Sequence, residues 1–491
     1  MATTTCIHCS PAGASRPRAG SAGAGRALTL VATSLGLAVV QLDVSVVNVA
    51  IKPIGASLGG GVSALQWVVN AYTLVFAALI LSAGALGDRI GAKRVFVAGF
   101  CVFTTASVAC GLAPALGVLI AARAVQGAGA AVLVPCSLTL LSHTFPDAQE
   151  RIRAVGLWAA GASAALSAGP LVGGCLTAAF GWRAIFFINL PIGLAGVALT
   201  LRWAAETTRR GDRAVDLPGQ AASIAALTVL AAATIEGGSR GFAAPPVLVG
   251  FALALAAAVA FVVIESRRAQ PMLPLRLFRN PTVSAVALIG LIVNVAFYGL
   301  IFVLSLFLQR AQHLSVLDTG LAFAPMTAAI MLANLLAKRL AAATGPRATI
   351  AAGAALMAAG AAALLGAGGG AGPDTPYVAL LGPFVALGFG LGLIVAVMTA
   401  AMLGAVDRSR SGVAAGVLNS ARQTGSLIGV ALYGALIAGA VWWAGCTWRW
   451  RSRWRWRPAS RSRAPACAAD AAGAPGDARR LGLGRWPAVA P

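Results

Sequence analysis

Apolar runs long enough to cross a membrane recur along the whole chain. A helix needs roughly 20 mainly apolar residues to span the hydrocarbon core of a bilayer. Thirteen such runs occur, near residues 28–51, 64–86, 94–113, 115–141, 152–179, 183–203, 217–236, 245–264, 281–308, 318–337, 347–367, 376–402 and 412–441. This pattern predicts an all-α integral membrane protein with about thirteen visible spans.

Composition agrees with the hydropathy pattern. The 491 residues are 59% hydrophobic and only 10% charged, whereas soluble domains carry about 25% charged residues. Residues 1–27 are polar, small and basic, without the apolar core of a secretory signal. The cysteines are scattered, several of them within predicted spans, which favours packing over a disulfide framework. Cys6, His8 and Cys9 resemble half of a zinc site that has no second half, so we expect no metal.

The net charge of +23 at first suggests a nucleic-acid partner, but the positions of the cations indicate a membrane topology. If the N-terminus is cytoplasmic, the connections on that side carry most of the lysines and arginines of residues 1–441. The connections on the other side carry only Lys52, Arg183, Arg240 and Arg310. Because cytoplasmic loops are enriched in Lys and Arg, we expect a cytoplasmic N-terminus and no nucleic-acid partner.

Residues 442–491 depart from this rule. After thirteen spans they are expected on the outer side, yet they are rich in arginine and begin with alternating tryptophan and arginine. One interpretation is a disordered basic tail. The other is a shifted reading frame that has replaced a fourteenth helix, which the abrupt change in composition favours.

Three charged residues lie deep within predicted spans, namely Asp43, Arg123 and Arg422. Such charges are costly and are kept mainly for function or pairing. At about 1.5 Å per residue, Asp43 and Arg123 each lie roughly 12 Å below the outer end of their span, so they can face each other. Burial favours a neutral carboxyl group and an adjacent cation favours the ionised one, so a movement of Arg123 would load or release a proton. The alternative is a static ion pair that fixes helix packing, and Gln126, one turn from Arg123, can hold the guanidinium in either case.

Other polar residues in the spans are weaker candidates, because each can line a substrate cavity or form an interhelical hydrogen bond. They are Asn70, Asn189, Asn294, Tyr298 and Asn419, the last of which shares a helix face with Arg422. The three histidines lie in the tail or in loops, and the sequence shows no nucleophile–base set. We therefore expect no enzyme.

Small residues recur at four-residue intervals in the fifth predicted span: Gly161, Ala165, Gly169 and Gly173. This spacing places them on one helix face, which in lipid marks a tight helix contact. Pro170 lacks a backbone donor and is expected to bend the helix beside Gly169. The face is either ordinary packing or, with Gly174 completing the run, a specific contact around which the other spans pack.

The connection 84–94, the segment 123–129 and the small-residue stripe follow one another along the chain. In this order they resemble three signature motifs of the major facilitator superfamily, which the chain resembles over about residues 28–441, and the stripe resembles that of antiporters. Segments 42–50, 182–191 and 416–425 are similar to the fourteen-helix drug–proton antiporter branch. The resemblance assigns gating or packing roles to Gly84, Gly87, Asp88, Arg89, Gly91 and Gly127. The chain departs from the family in three ways: Lys52 precedes Pro53, the loop 338–347 lacks an acid, and the last helix is missing.

The resemblance implies two pseudo-symmetric six-helix bundles, an extra helix pair and alternating access. The expected parts are a cytoplasmic tail (1–27), an N-terminal bundle (28–203), the extra pair with its loops (204–280), a C-terminal bundle with five visible spans (281–441) and the final tail (442–491). The expected activity is proton-coupled export of drug-like, amphipathic or cationic small molecules across the plasma membrane, driven by the proton gradient without a cofactor. Asp88 is expected to face the N-terminal end of the last span as a cytoplasmic latch. An uptake symporter and a truncated inactive transporter are the alternatives.

Overall fold

The computed structural model describes residues 19–207, 216–268, 271–366, 375–406 and 411–454 of the chain. A 3-10 turn at Leu275–Arg279 and a π-helical turn at Phe307–Ala311 interrupt an otherwise α-helical order. The α-helices are α1 (Ala19–Leu58), α2 (Val62–Ile90), α3 (Ala92–Gly111), α4 (Leu116–Thr144), α5 (Ala148–Phe180), α6 (Ala184–Phe187), α7 (Asn189–Trp203), α8 (Leu217–Arg240), α9 (Pro245–Arg267), α10 (Pro281–Leu306), α11 (Val316–Ala322), α12 (Ala324–Thr344), α13 (Pro346–Gly366), α14 (Tyr377–Gly404) and α15 (Ser411–Trp454).

The predicted fold class is confirmed. Within the described ranges, 12 helical segments are long and apolar enough to cross a membrane, and they coincide with the first twelve predicted runs. The thirteenth run lies in α15, which begins at Ser411 and continues to Trp454, beyond the predicted end at residue 441. The remainder of the predicted tail, residues 455–491, lies outside the described residues.

The ends of several helices follow from local chemistry. Gly91 ends α2 with a φ of +109°, a conformation that favours glycine, and the chain reverses directly into α3. Asp147 caps α5 by accepting hydrogen bonds of 2.9 Å from the backbone N–H groups of Gln149 and Glu150. These turns set the antiparallel order of the first helices.

Close helix packing rests on small residues, as expected where lipid replaces water. In the N-terminal half, α1 packs against α5, and α4 packs against both α2 and α3. A Cβ atom placed on Gly129 of α4 would lie 2.6 Å from the backbone nitrogen of Phe103 in α3. In the C-terminal half, α14 packs against α12 and α13. The pair α8 and α9 pack together, and α8 also lies on α2.

Candidate functional site

Asp43, in the middle of α1, is the centre of a buried network of side chains. Its Oδ2 atom accepts a hydrogen bond of 2.5 Å from the guanidinium of Arg123. Its Oδ1 atom accepts from the side-chain amides of Gln126, at 2.9 Å, and Asn189, at 3.1 Å. Asp43 and Arg123 are each only 1% exposed. The ion pair is therefore removed from water and held by α4 and α7.

Ser107 of α3 joins the two amides behind the carboxylate. Its Oγ atom accepts hydrogen bonds from Gln126, at 3.2 Å, and Asn189, at 2.8 Å, and donates one of 3.0 Å to the carbonyl of Phe186. The network thus includes side chains from α1, α3, α4 and α7, all of them buried. A shift of any one of these helices changes the set of donors around Asp43.

Arg123 also has partners of its own. Its Nε atom donates to the carbonyl of Val68 at 3.2 Å, and its Nη1 atom donates to the Gln126 side chain at 2.7 Å. The ring of Tyr72 lies 4.3 Å from its Cζ atom, within the range of a cation–π contact. The guanidinium therefore keeps neighbours on α2 and α4 when Asp43 is neutral.

A separate cavity lies between the two halves of the molecule. It contains about 1100 Å³ of empty space, including the part open to solvent, and α1, α4, α5, α10, α12, α14 and α15 line it. Its walls are largely apolar, for example Leu37, Leu166 and Phe297. Polar groups come from several helices, namely Gln41, Trp158, Ser163, Asn294, Tyr298, Asn334, Thr399, Asn419 and Arg422.

The predicted cavity residues separate into two groups. Asn294, Tyr298, Asn419 and Arg422 line the cavity, whereas Asn70 and Asn189 are not among its lining residues. Asn189 is the first residue of α7, where its amide faces Asp43 instead. Asn70 is fully buried in α2, and neither amide atom has a hydrogen-bond partner in the described part of the chain.

The small-residue stripe of α5 lies against α1. A Cβ atom on Gly169 would lie 2.6 Å from the Cβ atom of Ser45, and one on Gly173 would lie 3.0 Å from the carbonyl oxygen of Val46. Gly161, in contrast, has only the Ser34 Cβ atom at 4.0 Å. Pro170 lies within the helix next to this contact. The closest approach is thus limited to the second half of the stripe.

Two contacts join the halves at the end of the bundle that carries Lys52. Gly174 of α5 lies against α11, where a Cβ atom would be 3.0 Å from the carbonyl oxygen of Val316. The Lys52 ammonium donates to the Gln309 carbonyl at 2.5 Å, and the Gln309 side chain donates to the Val49 carbonyl at 2.8 Å. This end of the bundle is closed, and the cavity lies on the other side of these contacts.

The motif between α2 and α3 forms a second packed region. A Cβ atom placed on Gly87 of α2 would lie 2.8 Å from the Cys136 sulfur of α4, and one placed on Gly84 would lie 3.7 Å from Pro135. The two helices therefore approach each other closely there. Gly127 of α4 packs against the backbone of Tyr72 in the same way. Asp88 is half-buried and Arg89 is exposed. The predicted contact of Asp88 with the start of α15 involves residues 407–412, whose side chains lie outside the described residues, so the latch stays a prediction.

Sequence reasoning missed several residues that contribute to these sites. Ser107 carries no signal, since a serine within a span usually bonds to its own helix. Gln41 and Asn334 line the cavity. Both are polar residues within predicted spans, and this position could have marked them as cavity candidates in the sequence. Glu206 follows α7 and forms an ion pair of 3.6 Å with Arg94 at the start of α3. The Glu206 carboxylate lies so close to Gly91 that a side chain at position 91 would collide with it.

A multi-span helical bundle with a buried ion pair and a separate cavity between its halves is typical of the class of membrane transporters. The family model of the Major Facilitator Superfamily matches residues 33–430, and the chain belongs to this family. This confirms the resemblance drawn from the motifs. Family and relatives identify a multi-pass membrane transporter and not an enzyme.

Relatives and solved structures agree with this assignment. The methylenomycin A resistance protein of Streptomyces coelicolor is 40% identical over 408 residues, which are 83% of this chain and 85% of the relative. The multidrug resistance protein Stp of Mycobacterium tuberculosis is 36% identical over 411 residues, or 84% of this chain and 76% of the relative. A bacterial homologue of the human lysosomal transporter Spinster, crystallised inward-facing and unoccupied, superposes with a TM-score of 0.59 at 18% identity, covering 87% of this chain and 85% of that chain. At that identity the match shows the fold alone.

Proposed function

We propose that the protein is a proton-coupled antiporter that exports drug-like, amphipathic small molecules across the plasma membrane by alternating access. The observation that carries this proposal is the buried Asp43–Arg123 pair, held by Gln126 and Asn189 and separate from the cavity. The names of the relatives, which refer to resistance to methylenomycin A and to multiple drugs, support export over uptake.

The geometry of the network supports a proton step at Asp43. In the described conformation each oxygen of the Asp43 carboxylate accepts a hydrogen bond from a side chain. When α4 moves relative to α1, Arg123 withdraws and the desolvated carboxylate binds a proton. While it is withdrawn, the guanidinium keeps its contact with the Tyr72 ring and its hydrogen bond to the Val68 carbonyl. Protonation and helix position are then linked, as antiport requires.

The orientation comes from the distribution of the cations. With the N-terminus cytoplasmic, the contacts of Lys52 and Gly174 lie at the outer end, and the cavity faces the cytoplasmic ends of α5 and α14. The conformation is then inward-facing, ready to receive a substrate from the cytoplasm. Export requires that the outer contacts open and that the cytoplasmic ends close.

The proposal is tested in energised everted vesicles, in which a proton antiporter dissipates the pH gradient when substrate is added. Methylenomycin A serves as the probe, and the quench of acridine orange reports the gradient. We expect dissipation with the wild-type protein and none with Asp43→Asn, because the coupled proton has lost its site.

Glu236→Gln is the matched control. Glu236 is a half-buried acid of α8 that pairs with Arg240 and lies away from the Asp43 network, so this variant should behave like the wild type. Full dissipation by Asp43→Asn shows a static ion pair and overturns the assignment of Asp43. Substrate transport by the wild type that never affects the pH gradient overturns antiport itself.

A further inference from the structure

Arg422 of α15 differs from Arg123 in having no counter-ion among the described residues. Its Nε atom is buried without a hydrogen-bond partner, and no ion pair joins it to a carboxylate in the described ranges. Its stem packs on α10, where a Cβ atom on Gly290 would lie 3.5 Å from the Arg422 Cγ atom. The side chain is half-buried and lines the cavity. An arginine at this depth without a partner is costly unless something else supplies the negative charge.

Within the described part of the chain, no acidic side chain lines the cavity. Among the described lining residues Arg422 is the one charged side chain. Between residues 281 and 441 the sequence contains only three acids, Asp318, Asp374 and Asp407, each at or next to a connection between helices. Asp43 does not line the cavity, and its carboxylate is already bonded to Arg123. No described carboxylate of the chain faces Arg422, so a ligand that enters the cavity can supply the negative charge.

The rest of the cavity fits an anion with an apolar body. The side-chain amides of Gln41 and Asn334 and the phenol of Tyr298 line the cavity and, among the described residues, form no side-chain hydrogen bond, so each can donate to a ligand. Asn294 and Asn419 donate to the carbonyls of their own helices, at 2.7 and 3.0 Å, which leaves their oxygens as acceptors for a ligand hydroxyl. Leucine, phenylalanine and valine side chains supply the apolar walls.

We infer that the exported substrate is an amphipathic anion, such as a carboxylic acid with an apolar body, whose charged group binds Arg422. The inference rests on the proposed export function and deepens it by naming the substrate class. It departs from the cationic compounds that the sequence alone suggested, since a cation entering this cavity meets an unpaired like charge. Arg422 is then a substrate-binding residue, and its free guanidinium is the state before loading.

The charge of the inferred substrate determines the net charge that crosses the membrane in one transport cycle. If one proton enters for each monoanion that leaves, two positive charges move inwards, against one for a neutral substrate and none for a monovalent cation. Export of the anion is therefore accelerated by an inside-negative membrane potential as well as by the pH gradient.

The test uses three probes with one apolar body: pyrenebutyrate, pyrenebutanol and pyrenebutyl-trimethylammonium. Binding is measured by pyrene fluorescence with the full-length protein in lipid nanodiscs, and protein-free nanodiscs are the blank. Hydrogen bonds to a charged group correspond to a factor of about 10 or more in affinity. We therefore expect the wild type to bind the carboxylate about 10-fold tighter than the alcohol, and the ammonium more weakly still.

Substitutions separate binding from folding. Arg422→Gln should lose the preference for the carboxylate and keep its affinity for the alcohol, because no partner of Arg422 is left unpaired. Arg422→Lys should recover part of the preference. Arg347→Gln, which removes an exposed arginine at the start of α13, should match the wild type. Equal binding of carboxylate and alcohol by the wild type, or an unchanged preference in Arg422→Gln, overturns the inference.

Transport in proteoliposomes distinguishes this inference from the proposed function. If the alcohol or the ammonium moves against protons independently of Arg422 and the carboxylate does not, antiport stands and the anion site is wrong. If the carboxylate binds through Arg422 but no probe moves protons, the anion site stands and antiport is wrong. An outward flux of the carboxylate that rises with inside-negative potential in the wild type, and is lost in Arg422→Gln, supports both.

Discussion

Gly174 of α5 and Gly320 of α11 lie backbone against backbone where the two halves of the molecule meet. A Cβ atom placed on Gly320 would be 3.2 Å from the Gly174 Cα atom and 2.6 Å from the carbonyl oxygen of Pro170. Neither position has room for a side chain. On the proposed orientation this contact closes the outer end of the bundle, and it is possible only because both residues lack a side chain.

Gly320→Leu should keep the outer end from closing, because its side chain would occupy the space of the Pro170 carbonyl. We expect export to fall about fivefold or more, in line with the roughly 1–3 kcal/mol that overpacking costs. The measurement is labelling of Asn48→Cys, a buried position of α1, by an impermeant thiol reagent in a cysteine-free background. Labelling should increase.

Gly382→Leu is the matched control for this substitution, because a Cβ atom at Gly382 meets nothing within 4 Å. It should insert, export and label like the parent protein. If Gly320→Leu exports as well as Gly382→Leu, the contact between α5 and α11 is ordinary packing.

Gly169→Ala and Gly161→Ala should differ although they lie on the same face of α5. A methyl group at Gly169 overlaps Ser45, whereas one at Gly161 makes only an ordinary contact with Ser34. We expect Gly169→Ala to insert normally but to lose export, at a cost of about 1–3 kcal/mol to the packed state. Export per inserted molecule is the measurement, and equal rates for the two variants would contradict the role of the stripe.

Lys52→Met should loosen the outer closure without abolishing it. The substitution removes the hydrogen bond to the Gln309 carbonyl, which, for a half-exposed ammonium, we take as about 1 kcal/mol, or about fivefold in population. Labelling of Asn48→Cys from outside should increase by about that factor. Lys338→Met, an exposed lysine at the opposite end of the bundle, should leave labelling unchanged, and an equal increase in both would exclude a specific effect.

Asp88→Asn should shift the protein further towards the inward-facing state if Asp88 holds the start of α15 on the cytoplasmic side. A carboxylate near a helix N-terminus contributes about 0.3–1 kcal/mol, so we expect a twofold to fivefold change. Ala415→Cys, which lines the cavity, reports cytoplasmic access by its labelling rate. Glu236→Gln is the control, and an unchanged rate in Asp88→Asn would count against the latch.

The fold was predictable because hydropathy and length decide which segments cross a membrane. The meeting of Asp43 and Arg123 was also predictable, since both lie at the same depth and carry opposite charges. Both arguments use only the position of a residue along its own helix.

The remaining features depend on how each helix is rotated about its axis. Asn189 faces Asp43 because the sixth span breaks into α6 and α7 just before it, and hydropathy does not show that break. The link from Ser107 to Phe186 and the contact of Lys52 with Gln309 join residues far apart in the sequence. A single sequence does not show which residues that lie far apart along the chain meet in the folded protein.

The network around Asp43 draws every side-chain donor from residues 107–189, whereas Arg422, Tyr298 and most of the cavity amides come from the second half of the chain. On the proposed function, the proton-coupling network and the substrate-binding residues are therefore encoded by different parts of the gene. Mutation or recombination within the second half can then alter which compound is carried while the source of energy is left intact. Such a division allows a lineage to acquire resistance to a new antibiotic by a few changes around Arg422.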